Sequence, residues 1–114
     1  MKFTIIIPHY QTGKMTVFSI AQFLKFKGKH ELKIIVVDNN SGDGSIEYLK
    51  PFHSEIEIVN YPKGILQSHG IAIDHVLPGV ATEYFRTAET DSFPTKDVWL
   101  DYYEALVNEE VEAA

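Results

Sequence analysis

The sequence predicts an α/β fold, a Rossmann-like parallel sheet sandwiched by helices, and three observations carry that prediction. Ile5-Ile6-Ile7 and Ile34-Ile35-Val36-Val37 are apolar without alternation, as expected of strands buried on both faces of a parallel sheet. Stretches with apolar residues at helical spacing lie between the strand-like runs, which gives the order β-α-β-α-β-α-β-α and implies right-handed crossovers. Each strand-like run leads into a polar or aromatic cluster, and such sheets bind ligands outside the C-terminal ends of their strands.

Each element has its own signal. Residues 3–7 form the first strand, and Pro8 is expected to end it, because proline lacks the N–H that a central strand donates. Residues 15–26 are a helix, with Val17, Phe18, Ile20, Ala21 and Leu24 at helical spacing and Gly28 just past its end. Residues 33–37 are the second strand, leading into the turn cluster Asp38-Asn39-Asn40-Ser41-Gly42-Asp43-Gly44. Residues 45–49 read as a short helix that Pro51 keeps from extending. Residues 55–61 alternate Ile56 and Ile58 with Glu55 and Glu57, a third and more exposed strand. Residues 65–77 are a helix whose end is marked by Pro78-Gly79, and residues 82–87 are the fourth strand. Thr95 caps a last helix over residues 96–107, with Trp99, Tyr102, Tyr103 and Leu106 on its apolar side.

The 114 residues suit one domain. Ten basic and 16 acidic side chains give a net charge of −6, which argues against a surface built to neutralise nucleic acid. A local phosphate site is still compatible with that balance, because metal ions and helix N-termini supply positive charge. The absence of cysteine removes disulfides, thiolate nucleophiles and Cys-ligated zinc, and fits a reducing compartment. The N-terminal apolar run is cut short at Pro8, unlike a signal peptide, and no segment approaches the roughly 18 apolar residues of a membrane span. The expected setting is the cytoplasm.

Several familiar motifs fail. Gly13-Lys14 has Pro8 where a phosphate-binding loop needs its first glycine, and Met15 where it needs Ser or Thr. No G-x-G-x-x-G stands after the first strand. A calcium loop begun at Asn39 would end on Lys50 instead of glutamate. His30, His53 and His75 show no metal-ligand spacing and read as ordinary polar residues, and the acidic tail after Asn108 reads as a solvated helix end.

The residues just past each strand carry the chemistry. The four mouths are Pro8-His9-Tyr10-Gln11, Asp38-Asn39-Asn40, Tyr61-Pro62-Lys63-Gly64 and Ala88-Glu89-Thr90-Asp91-Ser92. Glu89-Thr90-Asp91 places two carboxylates just past a strand, a donor set for a hard cation such as Mg²⁺ or Mn²⁺ held together with substrate phosphates. Acidic residues there also serve as helix caps or solvated turns. Asp38, at the end of an apolar strand, can accept hydrogen bonds from a base or ribose, whereas Ser41 and Asp43 read as caps of the next helix.

Together, Ile5-Ile6-Ile7-Pro8-His9-Tyr10, the block from Ile34 to Ser45, and Glu83-Tyr84-Phe85 leading to Glu89-Thr90-Asp91 resemble the N-terminal half of family 2 glycosyltransferases, whose fold is called GT-A. The resemblance covers about residues 3–100. It implies a nucleotide-sugar donor, most commonly a UDP-sugar, bound with Mn²⁺ or Mg²⁺, and transfer to the hydroxyl of a saccharide or other acceptor. By the same resemblance, Pro8, His9 and Tyr10 line the base pocket, largely through backbone and the tyrosine ring. Asp38, with Asn39, binds the base. Glu89, with Thr90 beside it, faces the ribose and donor sugar and stands next to the metal, and Asp91 ligates the metal. Lys63 and Gln67 lie where the family places donor-facing residues.

The sequence departs from the family in places. Glu89 replaces the usual first aspartate of D-x-D, and Gln67-Ser68 stands where Arg-Asn is common. The loop before Glu83 is longer than usual. The chain ends where members continue into the acceptor-binding half, which is expected to be absent here. That half carries the general base, so Asp97 and Asp101 are candidates by position only, with solvated helix acids as the plainer reading. The chain is then either a fragment or a minimal donor-binding domain, and its short sheet leaves room for a homo-oligomer. The alternative function is a non-catalytic nucleotide-binding or assembly module. A receiver-like phosphoacceptor fits poorly, because its carboxylates belong after the first and third strands.

Overall fold

The two apolar runs pair at the centre of the molecule. The computed structural model describes residues 2–11, 13–38, 44–60, 69–82, 84–88, 94–96, 99–101 and 104–106. Strand β1 (Lys2–His9) runs parallel to β2 (Glu31–Asp38), in register from Lys2↔Glu31 to His9↔Asp38. Strand β3 (Ile56–Asn60) lies outside β2, and β4 (Tyr84–Thr87) lies on the far side of β1. The order is therefore β3-β2-β1-β4 with every pairing parallel. The chain steps from β1 through β2 to β3 in one direction, then crosses back past β1. That reversal makes the gap between the ends of β1 and β4 the topological switch point.

Successive strand side chains point to opposite faces, and the buried residues divide accordingly. Ile5, Ile7, Ile34 and Val36 pack on one face with Ile20 and Phe23 of helix α1 (Gly13–Lys25), Leu49 and Leu100. Ile6, Ile35 and Val37 pack on the other face with Ala72 and Val76 of helix α2 (His69–Val76). Both faces are covered by helices, so runs without polar alternation are what the sheet demands. Residues 99–101 and 104–106 are helical. They are tied to α1 by Trp99, whose ring meets Phe23 at 5.4 Å and whose Nε1 donates to the Phe26 carbonyl at 2.8 Å.

Several boundaries differ from expectation. Pro8 does not end β1. Backbone groups of a strand alternate between its two neighbours, and the Ile6 carbonyl accepts from the Ala88 N–H at 2.9 Å on the β4 side. Pro8, two residues on, faces the same side, past the last β1–β4 pair at Ile6↔Thr87. The missing N–H therefore costs the ladder to β4 and leaves the ladder to β2 intact through His9. β1 and β4 part at the position where proline cannot donate.

The segment after β2 is a 3₁₀ helix over Ser45–Phe52 that continues through Pro51. Proline's fixed φ suits such a turn, and the bonds from His53 N–H to Lys50 O at 3.1 Å and Glu55 N–H to Phe52 O at 2.7 Å close it. Gly44, at φ 78°, supplies the left-handed entry. Glu55 is thereby held in the turn, and β3 begins at Ile56. After α2, Leu77–Gly79 form a single 3₁₀ turn. Thr82 lies before β4, with its hydroxyl donating to the Tyr84 carbonyl at 2.9 Å. The expected helical start at residues 65–68 lies outside the described residues.

Candidate functional site

The C-terminal edge of the sheet carries a polar row directly above the apolar core. Val36 pairs with Ile7 and Ile58, and one step along, Asp38 pairs with His9 and Asn60. Residues two apart on a strand share a face, so Asn60, Asp38 and His9 stand side by side on the α1 face, on strands roughly 4.8 Å apart. Asp38 is half-buried and Asn60 is exposed. The apolar pattern Ile56, Ile58 continues in phase to Asn60, so the alternation that reveals β3 also points to Asn60, which motif matching passes over.

His9 is fully buried, and its Nδ1 shares a hydrogen bond of 2.9 Å with Oγ1 of Thr16, also fully buried. Its tautomer sets the direction of that bond. The imidazole therefore sits behind the site, and of the residues expected to line a base pocket, Tyr10 is the one that reaches the surface, half-buried, while Pro8 and His9 are buried. Thr16 is a partner of the strand-end histidine that the motifs do not reveal. Its only signal is a hydroxyl on the inward face of a helix, seven residues after a histidine. Between them, Gln11 adopts φ 53°, a left-handed conformation uncommon for a residue with a side chain.

Across the switch point, β4 ends at Thr87, and the ladder closes with the bond from Ala88 to Ile6. Glu89, Thr90 and Asp91 come next in the chain, and they lie outside the described residues, as do Asn39, Lys63, Gln67 and Asp97. The structure thus brings together Pro8, His9, Tyr10 and Asp38, and ends β4 beside them one residue short of Glu89. Among the described residues no group of three His, Asp or Glu side chains is arranged to hold a metal; the implied ligands Glu89 and Asp91 lie outside those residues. No helix among the described residues is long and apolar enough to cross a membrane.

Asp101 is not at this edge. It accepts a hydrogen bond from the His30 ring at 2.5 Å, while the other ring nitrogen lies 3.7 Å from Glu104. His30 is buried, with its ring edge-on to Phe3. The bond from His30 holds the Asp101 carboxyl below its ordinary range, with Lys29 assisting. His30 immediately precedes β2, so this cluster sits at the N-terminal edge, roughly 23 Å of strand away from Asp38. In this placement the Asp101 side chain fastens the C-terminal helical residues to the sheet. It also gives His30 a definite structural partner, where the spacing suggests only a loop polar residue. An open cleft of about 400 Å³ at the same edge is lined by residues including Lys2, Glu31, Lys33 and Glu55. It lies at the opposite end of the strands from the switch point.

Comparison with known proteins agrees with this geometry. The family model described as "Glycosyl transferase family 2" matches residues 4–114. A curated relative, the "Uncharacterized glycosyltransferase YfnE" of Bacillus subtilis (strain 168), is 26% identical over 112 residues, covering 96% of this chain and 28% of that protein. Among solved structures, S. aureus TarS 1-349 in complex with UDP-GlcNAc superimposes with a TM-score of 0.79 at 18% identity, over 96% of this chain and 32% of that one. The mannosyltransferase PcManGT from Pyrobaculum calidifontis, in complex with GDP-Man and Mn²⁺, gives 0.75 at 16% identity, over 86% of this chain and 30% of that one. At such identities the likeness shows the fold, an α/β Rossmann-like GT-A fold. The chain spans about a third or less of the length of these relatives.

Proposed function

The chain belongs to glycosyl transferase family 2, and on that premise we propose that it holds the nucleoside diphosphate of a UDP-sugar at the C-terminal edge of its sheet for transfer of the sugar to an acceptor hydroxyl. The observation that carries this reading is the placement of Asp38 beside His9 in register, with β4 ending across the switch point. Asp38 accepts the N3–H of the uracil ring, Asn39 assists, and the ring of Tyr10 forms a wall of the base pocket. Glu89 and Asp91 hold Mn²⁺ or Mg²⁺, with Thr90 between them, and Lys63 and Gln67 face the donor. When bound, the metal neutralises charge that grows on the leaving diphosphate. In support, a neighbour of the same fold binds UDP-GlcNAc and another binds GDP-Man with Mn²⁺. The reading carries a cytoplasmic setting, in keeping with the cysteine-free sequence.

Calorimetric titration of UDP into the wild-type chain and into Asp91→Asn, each with Mn²⁺, tests the reading. Wild-type binding that is lost in the variant is the expected result. UDP affinity unchanged by Asp91→Asn would overturn the metal role. Binding with neither sugar transfer nor donor hydrolysis would favour a non-catalytic nucleotide module.

A further inference from the structure

A buried imidazole is an expensive way to fill the end of a strand. One row below His9, the same face of the sheet is filled by Ile7 and Val36 with no polar atom to satisfy. At His9 the chain instead buries a ring with two nitrogens, and answers one of them with the fully buried hydroxyl of Thr16. Burying two polar groups costs free energy unless they bond to each other or to further partners. An apolar pair would fill that space with no such requirement. Local departures from the cheapest solution concentrate at functional sites.

The bond spans a particular stretch of chain. Thr16 lies in the first turn of α1, and His9 is the last residue of β1. The His9–Thr16 bond therefore closes a loop containing Tyr10, Gln11 and the start of the helix. Within that loop Gln11 is held at φ 53°. A non-glycine residue keeps such a conformation only where its surroundings over-determine it. The brace and the unusual turn are adjacent, and Tyr10 sits between them, immediately after the residue in register with Asp38.

We propose that His9 is a positioning residue of the nucleotide site: through its bond to Thr16 it fixes the turn from β1 into α1 and so sets Tyr10 at the strand end next to Asp38. This inference rests on the donor-site reading for its functional consequence. In this role His9 acts through the turn and not by contact with the ligand. The same geometry assigns Thr16, a helix residue outside the mouth, to the support of the site.

The test uses the chain with three substitutions, Thr16→Val, Thr16→Ser and His9→Asn. Valine keeps the shape of threonine and removes the hydroxyl, serine keeps the hydroxyl, and asparagine carries a side-chain nitrogen near the place of Nδ1. Two readouts are taken: amide hydrogen exchange over residues 9–14, and UDP affinity by calorimetry, with thermal unfolding confirming that each variant folds. Thr16→Val is expected to speed exchange over residues 9–14 and to weaken UDP binding about tenfold, the scale of one buried hydrogen bond. Thr16→Ser is expected to restore both, and His9→Asn to restore part. Unchanged exchange in Thr16→Val would overturn the brace, and faster exchange with unchanged UDP affinity would overturn its role in positioning. If Thr16→Val fails to fold, Thr16→Ser and His9→Asn decide: wild-type affinity in His9→Asn, with exchange raised over residues 9–14, would again overturn it. A wild-type chain that binds neither UDP nor GDP would overturn the donor-site reading instead, while the exchange data would still decide whether the bond holds the turn.

Discussion

At the scale of single residues, the site depends on what each side chain can reach from its strand position. Asp38 is half-buried at the end of β2, between a buried histidine and an exposed asparagine. A carboxylate there accepts hydrogen bonds and an amide of the same shape also donates, so the base-binding role discriminates between them. Asp38→Asn is expected to weaken UDP binding by about 1.5–3 kcal/mol, the range for a hydrogen bond to a charged group. Affinity for inorganic pyrophosphate is expected to stay near the wild-type value. Equal losses for both ligands, measured by calorimetry, would place Asp38 at the phosphates instead of the base. Asp38 is legible in the sequence because it ends an unbroken apolar run. His9 and Thr16 are legible only as residue types, since whether a histidine faces solvent or a helix is decided by packing.

Among the elements, the sequence is most legible where burial is strongest. The runs at Ile5-Ile6-Ile7 and Ile34-Ile35-Val36-Val37 mark β1 and β2, because strands covered on both faces tolerate no polar interruption. Boundaries are less legible. Whether Pro8 ends its strand depends on which neighbour its nitrogen faces, a property of sheet order that local sequence does not contain. Pro51 reads as a stop to the helix, yet the chain accommodates it within a 3₁₀ turn. The two faces of the sheet carry separate consequences for stability. Ile7→Ala and Ile6→Ala remove buried side chains from opposite faces, and each is expected to cost roughly 2–5 kcal/mol by urea unfolding. A near-zero cost for Ile6→Ala would mean that the α2 face is not a true core.

The C-terminal helical residues are fastened differently, by Trp99 on Phe26 and by Asp101 on His30. Asp101 is held below its ordinary range by the His30 bond. A depressed carboxylate contributes stability above its unfolded pKa, and loses it as pH falls below about 4 through the folded value. Trp99 is the one tryptophan of the sequence, so its fluorescence reports on this segment alone. Its emission is expected to shift toward the solvent-exposed value as pH falls below about 4, and Asp101→Asn is expected to weaken the docking already at neutral pH. A Trp99 signal independent of both would mean that Asp101 does not hold the segment.

For the whole molecule, the two edges of the sheet divide the labour. The N-terminal edge holds the His30 cluster and the cleft beside Lys2, Glu31, Lys33 and Glu55. The C-terminal edge holds the polar row and the switch point. The net charge of −6 repels a diphosphate at long range, so a donor site on this chain depends on local compensation, which the proposed metal ion supplies. The most direct measurement is amide chemical-shift mapping of the chain on addition of UDP with Mg²⁺. Nucleotide binding at the C-terminal edge predicts shifts concentrated at residues 9–11, Asp38, Asn60 and Ala88. Shifts concentrated instead at Lys2, Glu31, Lys33 and Glu55 would contradict it, because they would place the nucleotide at the opposite edge of the sheet.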